Sequence, residues 1–183
     1  MADIDFDELK KSLHGLQKLS LRGASLNLAA YVEEVTRSLL RQYFVNQRKL
    51  AQKLLEDTGA LSTFSARIDT AYALGLIADS ERRNLHLVRK IRNEFAHNFN
   101  FDLSFETPEI RGLCLALEVP ESTTLLPGIS STNLQGRFAI AASLLMMGLI
   151  YRGQQAQHRV VPAALTAQEI EAAVAGTGGL EGG

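Results

Sequence analysis

Residues 88–99 read VRKIRNEFAHNF, the end of a longer phrase over 61–97, LSTFSARIDTAYALGLIADSERRNLHLVRKIRNEFAH. Laid on a helix at about 100° per residue, Leu87, Val88, Ile91, Phe95 and Phe99 fall on one side. Arg82, His86, Arg89, Asn93 and His97 fall on the other, with Arg92 at its edge and small Ala96 near its middle. A helix that only packs needs the first set alone. The polar arc opposite it marks this stretch as the candidate functional element.

The same periodicity extends outward. Phe6, Leu9, Leu13 and Leu16 predict a first helix that ends near Ser20 to Gly23. Leu28, Val32, Val35, Leu39, Leu40 and Phe44 stripe a second helical region from Leu26 to about Leu55, with a break at the polar VNQRK segment. Asp57-Thr58-Gly59 is its stop signal, with glycine at the C′ position. Phe64, Ile68, Ala71 and Tyr72 share a face on the next helix, which Gly75 closes. Asp79 or Ser80 can cap the motif helix.

Asn100 to Glu106 reads as a loop, and Thr107-Pro108-Glu109 as a helix start for Ile110 to Leu117. Glu118 to Thr132, with Pro120, Pro127 and Gly128, reads as a loop of the length that functional or mobile segments have. Leu134 to about Gln157 is the most apolar helix and the expected centre of a bundle. Thr166 and Glu169 have the spacing of a capping box. No internal repeat and no strand is evident. The pattern predicts an all-α, single-domain bundle of about six or seven helices over 1–162, with a short Ala-rich helix and a flexible Gly-rich tail over 163–183.

Composition narrows the function classes. At 183 residues, 46% apolar and 21% charged, the chain has the make-up of an ordinary globular domain. A net charge of −1 gives no global field toward nucleic acid or anionic lipid, so any such contact needs a local patch. Cys114 is the only cysteine, which leaves no internal disulfide. Four histidines lack matching acid or cysteine spacing, so neither a metal nor a cofactor is expected. The N-terminus has no secretory core. The apolar run Phe138 to Tyr151 is 14 residues, short of the roughly 20 that span a membrane. The expectation is a soluble, cytoplasmic protein that does not enter a membrane.

RNEFAH has an RxxxxH spacing with asparagine directly after the arginine. A histidine can move a proton near neutral pH, and a guanidinium beside it can hold a phosphate. The structural alternative pairs Arg92 with Glu94 or Asp69 and sets His97 at the helix C-terminus. Arg82, Arg83, His86, Arg89 and Lys90 read either as a phosphate- or partner-binding track or as a solvated face. Asp69 and Tyr72 on the preceding helix are the expected support, with Asp69 the acid that orients Arg92 or Arg89. Cys114 is expected buried and inert, and His158 is placed to satisfy carbonyls at the end of the last long helix.

The 61–97 phrase resembles the mannitol operon repressor (MltR-like) family. There the pattern F-S-x-[RK]-I-x-x-A-Y-x-L-G-L-I is followed by L-x-L-[IV]-R-K-I-R-N-x-F-A-H. Relatives in the wider HEPN-like helical class carry a similar phrase. The family resemblance implies a cytoplasmic helical regulator of a sugar-alcohol operon. This chain has no helix-turn-helix with a basic recognition helix, no zinc module and no basic arm, so regulation would run mainly through protein contacts, with the chain as a homodimer. The class resemblance implies an alternative, a metal-independent endoribonuclease built at a dimer interface that Ala96 lets close. In that case Arg92 and His97 would be the catalytic pair on RNA and Asn93 a supporting group.

Overall fold

Ser20 starts the first described helix: its hydroxyl accepts the Gly23 N–H at 3.1 Å, and α1 runs Leu21–Tyr43. The computed structural model describes residues 20–56, 58–97, 103–120, 124–126, 129–169 and 171–172. The Phe6–Leu16 segment, His14, Phe99, Phe101 and the Gly-rich tail lie outside them. Among the described residues the named helices that follow are α2 Arg48–Leu55, α3 Phe64–Ala73, α4 Asp79–His97, α5 Pro108–Leu115 and α6 Leu134–Gln155. The all-α expectation holds. Helix α1 begins at Leu21 rather than Leu26, because Ser20 supplies the cap, and the break expected at VNQRK falls at residues 44–47, with Arg48 and Lys49 already in α2.

The core forms where α1 and α6 pack side by side, with α4 against both, α3 against α1 and α4, and α5 against α4 and α6. Leu28, Val32, Val35 and Leu39 of α1 and Leu145, Met146, Leu149 and Ile150 of α6 are all buried. Each such side chain contributes about 1.5–3 kcal/mol on leaving water. Asn133 caps α6, its Oδ1 accepting the Gly136 N–H at 2.7 Å. At 22 residues α6 is longer than its apolar run, and by length and composition alone it could cross a membrane. Eleven of its residues are buried against the bundle.

Gly75 has φ +70°, the left-handed conformation that glycine adopts without strain. The Leu76 N–H donates to Ala71 O and the Gly75 N–H to Tyr72 O, both at 2.9 Å, which completes a Schellman end for α3. Gly59 corrects an expectation. Helix α2 ends at Leu55, so Gly59 lies beyond the C′ position. Its small size is needed because a Cβ there would sit 2.2 Å from Lys53 O.

Two other expectations change. The 118–132 stretch holds a two-stranded antiparallel ladder, β1 Thr124–Leu126 with β2 Ile129–Ser130, pairing Thr124 with Ser130 and Leu126 with Ile129. Strands of three and two residues are too short to show an alternating pattern. His158 Nδ1 lies 2.6 Å from Phe44 O, so it serves the end of α1 and not of its own helix. Arg159 beside it donates to the Tyr43 hydroxyl at 2.6 Å and stacks on that ring. The expected Thr166–Glu169 capping box is formed: the Thr166 N–H donates to Glu169 Oε2 at 2.8 Å, and the Glu169 N–H to Thr166 Oγ1 at 3.3 Å.

Candidate functional site

Helix α4 carries the motif, and its first turn is secured by a residue the sequence reading passed over. Neither Asp79 nor Ser80 caps it. Glu81, at the third helical position, reaches back to accept the Ala78 N–H at 2.7 Å. Arg152 of α6 donates to the same carboxylate at 3.0 Å, tying the start of α4 to the end of α6. Along the inner face Leu85, Val88, Ile91 and Phe95 are fully buried. Phe95 meets the ring of Phe105 edge-on at 5.1 Å.

Asn84 is buried on that same face. Its Nδ2 donates to Glu118 O at 2.8 Å and its Oδ1 accepts the Glu118 N–H at 2.9 Å, so one side chain satisfies both backbone groups just beyond α5.

The outer face divides into two parts. In the first, Asp69 Oδ1 accepts from Arg82 Nε at 3.0 Å and Nη2 at 2.8 Å, and His86 Nε2 lies 3.1 Å from the same oxygen. The Arg82 guanidinium stacks 5.1 Å from the centre of the Tyr72 ring, and Tyr72 is 41% exposed rather than packed with Phe64, Ile68 and Ala71. Hydrogen bonding from Arg82 and, more weakly, from His86 holds the Asp69 carboxyl below the usual carboxylate range. Arg83 pairs with Asp79 and, at 3.1 Å, with Glu118. Asp69 therefore reaches neither Arg92 nor Arg89. The short 74–78 connection folds α4 back beside α3, and residue 69 lies against the first turns of α4.

The second part is the RNEFAH end. Arg92 Nη1 donates to Asn93 Oδ1 at 3.1 Å, its neighbour in sequence, and pairs with neither Glu94 nor Asp69. Lys90 and His97 are exposed, and His97 is the last residue of α4. Arg89 is partly buried, with its Nε enclosed and without an acceptor among the described residues. So Asp69, Tyr72, Arg82 and His86 come together, Arg92 and Asn93 form a separate pair, and Arg83 turns toward Glu118.

Sequence reasoning missed Arg67. It lies on the apolar stripe of α3 with Phe64, Ile68 and Ala71 and is fully buried. It pairs with Glu33 of α1 and donates from Nη1 to Leu55 O at 3.2 Å and Leu61 O at 3.4 Å. Burial pulls its pKa down while Glu33 pulls it up, and a guanidinium in that balance stays charged at neutral pH. Its signal was legible as a charged residue at a core position, where charge is tolerated only when paired.

Elsewhere, Cys114 is buried as expected, and desolvation pushes its thiol up to about 12, far from nucleophilic. Among the described residues no cluster of His, Cys, Asp and Glu could hold a metal ion. A cavity of about 330 Å³ lies between α1 and α6 beside Gln42 and Gly153, and another of about 200 Å³ beside Asn84 and Ala141. Neither is lined by Arg92, Asn93 or His97.

No protein-family model matches the chain, and no curated protein matches it in sequence. Among solved structures it is similar to a chain of the X-ray structure of the MtlR–HPr complex from Escherichia coli. The two share 23% identity with a TM-score of 0.52, over 80% of this chain and 96% of that one. What the chain shares with that structure is its fold: an MtlR-like, all-helical bundle.

Proposed function

We propose that this protein is a cytoplasmic regulator that acts by binding another protein, with a sugar-alcohol operon of the mannitol type as its target. The observation that carries the reading is the similarity of fold, across nearly the whole of the other chain, to a chain from the MtlR–HPr complex. The surface chemistry supports it. Arg82 and Arg83, which a DNA-reading or phosphate track would present outward, are taken up by Asp69, Asp79 and Glu118. An HPr-type protein is accordingly the partner, and the chain forms a homodimer in this reading.

The test is calorimetric titration of the purified chain with the HPr-type protein of its own cell, together with light scattering for its own assembly state. Saturable one-site binding with a Kd of roughly micromolar order is expected. Absence of binding, with no change in sugar-alcohol operon expression on deletion of the gene, would overturn the proposal.

A further inference from the structure

Charge pairing changes abruptly along α4. In its first half every arginine is compensated: Arg82 by Asp69, and Arg83 by Asp79 and Glu118. Beyond Val88 the pairing stops. Arg89, Lys90, Arg92 and His97 make no ion pair among the described residues, and Arg92 finds only the neutral amide of Asn93. Over 89–97 three fixed cations stand against a single acid, Glu94, which pairs with none of them. In addition Arg89 Nε is closed off from solvent with no acceptor among the described residues, so that nitrogen is incompletely solvated. A protein of net charge −1 with twenty acids has ample carboxylates to neutralise this end, and none is placed there among the described residues.

We infer that the C-terminal half of α4, through Arg89, Lys90, Arg92 and His97, docks an acidic segment of a partner protein. The inference deepens the proposed function and rests on its premise that the chain works through a protein partner. Carboxylates complement this row by charge and by the bidentate geometry guanidinium groups favour. Single-stranded RNA fits less well. Its sequence-tolerant sites combine cations with exposed aromatic platforms, and the aromatic residue described in this segment, Phe95, is fully buried. The low overall charge also gives RNA no general attraction.

The experiment uses the full chain and three fluorescent probes: a glutamate-rich peptide, the same peptide with glutamine for glutamate, and a uridine-only RNA of equal length. Anisotropy titrations are run on the wild type, Lys90→Glu, the double variant Arg89→Gln/Lys90→Gln, and Arg83→Gln as the control outside the proposed surface. Lys90 is exposed, so its variant tests the surface even where Arg89→Gln loosens the fold. The glutamate peptide should bind, lose affinity as salt rises toward about 0.3 M, and weaken about 10-fold or more in both surface variants and less than about 2-fold in Arg83→Gln. No binding of the glutamate peptide, equal binding of the glutamine peptide, indifference to Lys90→Glu, or tighter binding of the RNA would each overturn the inference. The two proposals fail separately. HPr-type binding that ignores Lys90→Glu sinks this one alone, and peptide binding at this surface without any HPr-type binding sinks the other alone.

Discussion

Arg67 of α3 and Glu33 of α1 form an ion pair whose guanidinium is fully enclosed, and the same guanidinium donates to Leu55 O and Leu61 O. One side chain thereby joins α1, the end of α2 and the lead into α3. Arg67→Met leaves Glu33 unpaired and two carbonyls without this donor, so a loss of about 3–5 kcal/mol is expected. Adding Glu33→Leu to it should restore part of that loss, since removal of both charges avoids an orphaned one. Urea unfolding of the single and double variants measures both effects.

Asn84 makes a testable brace between α4 and the end of α5. Asn84→Ala abandons a backbone donor and a backbone acceptor of Glu118, at a cost of about 1–3 kcal/mol. Asn84→Asp keeps the acceptor and loses the donor to Glu118 O, and should also destabilise. Both are read from denaturant midpoints.

Acid should release the α3–α4 cluster. The Asp69 carboxyl is held below its ordinary range by Arg82 and His86. Its stabilisation is therefore complete above the unfolded carboxylate value of about 4 and fades as pH falls through the lower folded value. Asp69→Asn should be less stable than wild type at neutral pH, with the gap closing as pH falls below the unfolded carboxylate value of about 4. Urea midpoints of the two proteins across that range test it.

Two glycines should respond in opposite directions to alanine. A Cβ at Gly136 would sit 1.9 Å from Ser130 O, where β2 meets the start of α6, so Gly136→Ala should cost about 3 kcal/mol or more. Gly112 in α5 has open space around it, and Gly112→Ala should stabilise by about 0.5–1 kcal/mol through helix propensity alone. Thermal melts of the pair give the comparison.

Much of the bundle was legible because 3.6-residue periodicity and end signals are local. The inner face of α4, Pro108 at the start of α5, Gly75 after α3 and the Thr166–Glu169 box all follow from neighbours a turn away. The remainder depends on contacts distant in sequence. Arg67 and Asn84 occupy core-stripe positions, and their burial is offset by partners that the stripe does not reveal: Glu33 with the Leu55 and Leu61 carbonyls for Arg67, and the Glu118 backbone for Asn84. The partner of Asp69 turned on how the 74–78 connection sets α3 against α4, which periodicity does not encode. RNEFAH was legible as a distinctive phrase. That Arg92 would turn to Asn93, and that the cations beyond Val88 would find no carboxylate among the described residues, was not.

In the proposed reading, this bundle binds a protein partner through the C-terminal half of α4. Calorimetric titration of the proposed protein partner into the wild type and into Lys90→Glu tests it most directly. One-site binding to the wild type is expected, with at least about 10-fold weaker binding to Lys90→Glu at unchanged melting temperature. Equal heats and equal affinity for the two proteins, or no binding to either, would contradict it.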